Sequence, residues 1–173
     1  MLFVILDNIR SALNVGAIFR TCDGAGVDRL YLTGITAYPP HNKIPKTALG
    51  AEEFVDWEHH TDPLEVINHL KSGELTKLRE MANHKSEFEN SKIVNEPTEI
   101  VCFELTDKSI SMYDYKFNSN TALVFGHEIT GIDEGIVKQS DATVHIPMYG
   151  KKKSLNIATS VGIGTYFYKS VQK

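Results

Sequence analysis

Only two cysteines, Cys22 and Cys102, occur in the 173 residues, and they lie far apart in sequence. Two distant thiols supply neither metal-ligand spacing nor a disulfide framework, which points to a reducing compartment and a cytoplasmic protein. No apolar run approaches the roughly 20 residues that a membrane helix needs, so no membrane partner is expected. The start, MLFVILDNIR, lacks a basic region and a small-residue cleavage site and reads as a strand, not a signal peptide. An excess of positive charge is missing too. The net charge of −4 speaks against a protein coated in nucleic acid, though not against a local basic patch. The run Lys151, Lys152, Lys153 is open to two readings, a solvated loop or such a patch. GxGxxG, GxxxxGK[ST] and GxSxG are all absent, which argues against a dinucleotide site, a P-loop and a hydrolase elbow. His59–His60 and His127–Glu128 are adjacent pairs without helical ligand spacing, so no catalytic metal is expected.

What is present suits one soluble α/β domain over residues 1–173, with 42% hydrophobic and 23% charged residues. LFVIL is a strand, the segment after it an amphipathic helix ended by Gly24 or Gly26, and DRLYLTG a second strand. Strand–helix–strand is the unit of a parallel sheet. Residues 36–50 hold three of the six prolines and read as an ordered loop. A short strand is expected around Phe54 and Val55, then a helix capped by Asp62 with Pro63 at its first position. Residues 71–99 are rich in charge with one aromatic residue, Phe88, and read as an exposed helix plus loop that carries no assigned chemistry. EIVCFEL, TALVFG and the stretch Ala142–Pro147 are further strands. SLNIATSVGIGTYFYKSV is a final helix, apolar on nearly every face, which suggests packing against a partner subunit as well as its own core.

Three loops follow apolar strands: DNIRSALN, GHEITGI and PMYGKKKSLN. In an open parallel sheet they gather at the carboxyl edge, where ligands bind. Two of these loops hold residues with a plain structural reading. Asn14 and Ser154 are both suited to cap a helix.

Together NVGAIFRTCDGAGV, LVFGHEITGI and IPMYGKKKSLNIATSVGI resemble the three motifs of the SpoU (TrmH-like) branch of the SPOUT methyltransferases, in the family's order and over most of the chain. The charged segment 71–99 is the main part left unexplained. The resemblance implies a mostly parallel α/β sheet flanked by helices, closed by a C-terminal trefoil knot. It implies S-adenosylmethionine as cofactor, a ribose 2′-hydroxyl of tRNA or rRNA as target, and a homodimer with its active site near the subunit interface. Arg20 matches the motif-one arginine, expected to bind a phosphate or polarise the 2′-oxygen. Asn14, Glu128, Ser154 and Asn156 match further catalytic or orienting positions. Gly126, Ile146, Met148 and Leu155 match the cofactor-contacting stretch, with Leu105 a weaker match. His127 stands where relatives carry asparagine or another polar residue and receives no role. No appended RNA-binding domain is expected, so RNA recognition falls to the core dimer, through Lys151–Lys153, Arg10 and Lys43, or to the 71–99 segment. The alternative is a non-catalytic RNA-binding or assembly protein that retains the knot; the intact Arg20, Glu128 and SLN set argues against it.

Overall fold

The computed structural model describes residues 1–87 and 94–172. In chain order the elements are β1 Leu2–Asp7, α1 Ala12–Ala25, β2 Arg29–Thr33, α2 Pro45–Ala48, a 3-10 turn Ala51–Glu53, and β3 Trp57–His60. They continue with α3 Pro63–Ser72, α4 Leu75–Met81, β4 His84–Lys85, β5 Glu99–Phe103, β6 Ile110–Ser111 and β7 Thr121–Phe125, then α5 Glu134–Gln139, β8 Ala142–His145 and α6 Ile157–Val171. Among the described residues the strands form one sheet in the order β4-β3-β2-β1-β7-β5-β8-β6. Every neighbouring pair is parallel except β3 with β4.

β1 and β7 are buried along their whole length, as strands covered on both faces must be. The period of two divides β1 between two cores. Leu2, Val4 and Leu6 pack with Val15, Ile18, Phe19 and Cys22 of α1 and with Val161 and Tyr168 of α6. Phe3 and Ile5 pack with residues of α3, α4 and α5 on the opposite face. Each large aliphatic side chain removed from water in this way contributes about 1.5–3 kcal/mol.

α1 and α6 approach closely because small residues line their contact. A Cβ on Gly24 would stand 3.1 Å from the Tyr166 hydroxyl, and one on Gly162 would stand 3.8 Å from Thr21 Cγ2. Lys169 Nζ donates to Gly26 O at 2.7 Å. Gly26 ends α1 in the left-handed region at φ 61, which glycine adopts without penalty.

Four local expectations are corrected. Ser11, not Asn14, caps α1: its hydroxyl accepts from the Asn14 N–H, and Asn14 sits inside the first turn. Asn156, not Ser154, caps α6, accepting from the Ala158 N–H at 2.9 Å, so the helix begins at Ile157. The strand expected around Phe54 begins at Trp57, because Phe54 closes the 3-10 turn in a helical conformation and is 63% exposed. Residues 71–99 are not simply an exposed helix and loop: Leu75 and Leu78 of α4 are fully buried. Their i, i+3 spacing makes a narrow apolar stripe that the surrounding charge conceals. Phe88 lies outside the described residues. The Asp62 cap and Pro63 at the start of α3 are as expected.

Arg79 of α4 also enters the interior. Its guanidinium pairs with Asp56 at 2.8 Å and Glu58 at 3.3 Å. Arg29 reaches the same two carboxylates from β2, and His60 Nε2 lies 3.0 Å from Glu58. Two buried carboxylates against two guanidiniums satisfy charge that would otherwise be costly to desolvate. The cluster pins α4 to the sheet, far along it from the loops described next.

Candidate active site

The loops after β5, β7 and β8 enclose a cavity of about 350 Å³ beyond the carboxyl ends of those strands. That volume falls in the range of small-molecule sites. Leu105, Gly126, Ile146, Met148 and Leu155 all line it. So do Glu128, Ser154 and Asn156. Polar and apolar groups share the walls about equally, with Phe103 and Phe125 stacked at 4.8 Å at the strand ends.

The loop after β7 is a tight ring. His127 and Gly131 exchange backbone hydrogen bonds at 3.1 and 2.9 Å. His127 Nδ1 accepts from the N–H groups of Ile129 at 3.1 Å and Thr130 at 3.2 Å, which places the neutral ring's proton on Nε2. A Cβ on Gly126 would stand 2.5 Å from Ile132 N and 2.6 Å from Gly131 C and O, so this closure requires glycine. Glu104 fastens the ring to the neighbouring loop. One of its oxygens accepts from Ile132 N at 3.0 Å and the other from Leu105 N at 3.1 Å. Glu104 and His127 are among the cavity-lining residues without a role in the motif reading. The signal for Glu104 is a carboxylate placed directly after an apolar strand.

Glu128 projects from the ring to the start of α1. It accepts from Arg10 N and from Asn14 Nδ2, both at 3.3 Å. Asn14 Oδ1 in turn accepts from Asn156 Nδ2 at 3.3 Å. Burial of Glu128 works against ionisation. Hydrogen bonds from its own loop backbone, from Arg10, from Asn14 and from Ser11 outweigh that and hold the carboxyl below the ordinary glutamate value. The start of a helix favours a negative charge in the same sense.

Arg20 stands apart. It lies six residues beyond Asn14 on α1, about 9 Å along the axis and on a different face. It is exposed, and among the described residues its guanidinium forms no hydrogen bond or ion pair. It lines a second cleft of about 490 Å³ with Ala17, Thr21, Lys46, Thr47, Leu49 and Tyr166. Within one chain, then, the structure gathers four of the five expected catalytic residues at or beside the cavity and leaves Arg20 on a separate surface. Ser154 is exposed at the cavity wall and free of the capping role. Neither cysteine is available for chemistry: burial pushes the Cys22 thiol far up and the Cys102 thiol up to about 12.

The residues present fit S-adenosylmethionine: apolar side chains suited to an adenine, a glycine that lets backbone approach closely, and carboxylates of Glu104 and Glu128 beside a cavity that would receive a cation. No helix of the described residues is long and apolar enough to cross a membrane. Among those residues there is no cluster of three or more His, Cys, Asp or Glu side chains able to hold a metal ion.

A model of the SpoU rRNA Methylase family matches residues 1–166. The tRNA (guanosine(18)-2′-O)-methyltransferase of Aquifex aeolicus is 30% identical over 166 residues, covering 95% of this chain and 67% of that protein. The crystal structure of the A. aeolicus TrmH/SpoU tRNA modifying enzyme superposes with a TM-score of 0.75 at 26% identity, covering 99% of this chain and 75% of that one. The SpoU methyltransferase AviRb from Streptomyces viridochromogenes, solved with AdoMet, shares the fold at a TM-score of 0.78 and 23% identity, over 99% of this chain and 57% of that one. The chain spans 67%, 58% and 63% of the length of three curated relatives that it matches.

Proposed function

The chain belongs to the SpoU rRNA Methylase family, and we propose that it is an S-adenosylmethionine-dependent RNA methyltransferase acting on a ribose 2′-hydroxyl of tRNA or rRNA. The observation that carries this is the hydrogen-bonded series Asn156–Asn14–Glu128, which ties the three motif loops together at the mouth of one cavity. The names of the relatives supply the reaction type, 2′-O-methylation of tRNA or rRNA. The cytoplasm, where such RNA is modified, is the proposed location.

The cofactor, when bound, supplies an electrophilic methyl group. Leu105, Ile146, Met148 and Leu155 form its apolar seat, and Gly126 admits the backbone to it. Glu128, kept ionised, orients the start of α1 and offers a fixed negative charge at the cavity mouth. Ser154 and Asn156 present hydrogen-bonding groups to the incoming ribose. Arg20 binds the phosphate beside that ribose and stabilises negative charge developing on the 2′-oxygen. A guanidinium stays protonated in proteins, so the hydroxyl proton leaves to a phosphate oxygen or to water.

The separation of Arg20 from the cavity supports a homodimer in which Arg20 of one copy serves the cavity of the other. Leu49 and Tyr166, 66% and 56% exposed, line the Arg20 cleft, and Leu13, 44% exposed, lies two turns before Arg20 on the same face of α1, an apolar surface suited to a second copy. The trefoil knot belongs to the same reading. In support of it, residues 153–157 share one cavity with the loops after β5 and β7. Incubation with methyl-labelled cofactor and total tRNA or rRNA tests the proposal. Label in ribose-methylated nucleosides is the expected result; absence of transfer to either RNA would leave the non-catalytic reading.

A further inference from the structure

Tyr149 is 89% exposed and Ile129 is 79% exposed, which makes them the two most exposed large apolar side chains among the described residues. They stand on different loops, yet both loops border the same cavity: Ile129 lines it, as do Met148 before Tyr149 and Lys153 after it. A ring so placed does nothing for the fold. Its hydroxyl has no hydrogen-bond partner among the described residues, and a Cβ built on Gly150 meets nothing within 4 Å, so this stretch of loop stands clear of the protein. Directly after it come Lys151, Lys152 and Lys153, all exposed and none in an ion pair or hydrogen bond among the described residues.

An unengaged aromatic face followed by three unpaired cations is matched by a nucleobase with its neighbouring phosphates. In a chain of net charge −4 this concentration of lysine is local, and it lies at the rim of the candidate active site. A base inside an A-form duplex has both faces stacked on its neighbours, so only an unpaired nucleotide can offer a face to Tyr149. We propose that Tyr149 is a stacking platform for an unpaired base next to the target nucleotide, with Lys151–Lys153 holding the adjoining phosphates. The enzyme then takes its target from a single-stranded loop or end of RNA and not from a duplex. This deepens the methyltransferase reading and rests on it for the word target; the RNA contact itself is measured without methyl transfer.

The test is binding of a short labelled oligoribonucleotide that does not self-pair, and of its duplex with the complement, to the full chain by fluorescence anisotropy. Tyr149→Ala should weaken single-strand binding about 5- to 150-fold, the range for losing one aromatic–base stack. Duplex binding and calorimetric affinity for S-adenosylmethionine should not change. Tyr149→Trp should keep the affinity and show indole emission quenched by the single strand, above the unchanged background of buried Trp57. Replacing all three lysines by Ala should lower the slope of log K against log salt by up to about 2. Single-strand binding by Tyr149→Ala at the parent affinity would overturn the proposal. So would an equal loss for the duplex, or a changed oligomeric state without changed RNA affinity, which marks a protein contact. A chain that binds RNA through Tyr149 but transfers no methyl group would keep this contact and sink the enzymatic reading.

Discussion

Asn14 Nδ2 donates to Glu128 Oε1 at 3.3 Å, joining residues 114 apart in sequence. Asn156 extends the contact from the other side, donating to Asn14 Oδ1. Three loops from three strands thus share one amide. Asn14 is free for this because Ser11 takes over the capping of α1. Asn156 serves both ends at once, its Oδ1 capping α6 while its Nδ2 donates to Asn14.

The Glu128 tether gives stability a defined pH dependence. Its folded carboxyl is held below the ordinary glutamate value, so the unfolded chain binds the proton more readily. The contribution is therefore complete above the ordinary value and is lost as pH falls through the folded one. Melting temperatures of the parent and Glu128→Gln, compared across pH, should differ most near neutrality and converge in acid. A difference that grows as pH falls would contradict the assignment.

Gly126→Ala should strike the cofactor seat. The added Cβ meets backbone atoms of Gly131 and Ile132 at 2.5–2.6 Å, and the ring must open to admit it. Calorimetry should show affinity for S-adenosylmethionine reduced more than about tenfold, equivalent to 1.4 kcal/mol. Parent-like affinity would show that the ring does not hold the cofactor.

The buried ion cluster offers a control remote from the chemistry. Arg29→Met removes one of two cations from Asp56 and Glu58 and should cost about 3–5 kcal/mol in urea unfolding. The folded fraction should still bind S-adenosylmethionine with parent affinity, because no residue of the cluster lines the cavity.

Much of this was legible in the sequence. The apolar runs of β1 and β7, the helix between β1 and β2, and the gathering of loops at the carboxyl edge all follow from pattern. Leu105, Gly126, Ile146, Met148 and Leu155, scattered over three segments of the sequence, line one cavity. Hidden from pattern were contacts between distant segments. Gly16 is small because Thr47 and Ile44 press on it, and Gly24 because Tyr166 does. The small residues around Arg20 therefore serve packing within the chain as well as any outer surface. Capping at both ends of the site is decided by position and not by residue type: Asn14 and Ser154 are good caps by type, but Ser11 and Asn156 sit where each helix starts.

The apolar rim of the Arg20 cleft predicts association. Tyr166→Glu places a charge where Tyr166 is 56% exposed and should shift the protein from dimer to monomer in sedimentation analysis. Methyl transfer should fall with it, since the proposed site draws on both copies. A monomeric parent, or a monomeric variant with full activity, would contradict the shared site.

The most direct test concerns Arg20. With methyl-labelled S-adenosylmethionine and the RNA substrate, nucleosides are separated after digestion and the label is located by mass spectrometry. The account predicts label on the ribose 2′-oxygen with the parent chain. It predicts none with Arg20→Ala, while calorimetry shows the two binding the cofactor equally well. Label on a base, or undiminished ribose methylation by Arg20→Ala, would contradict it.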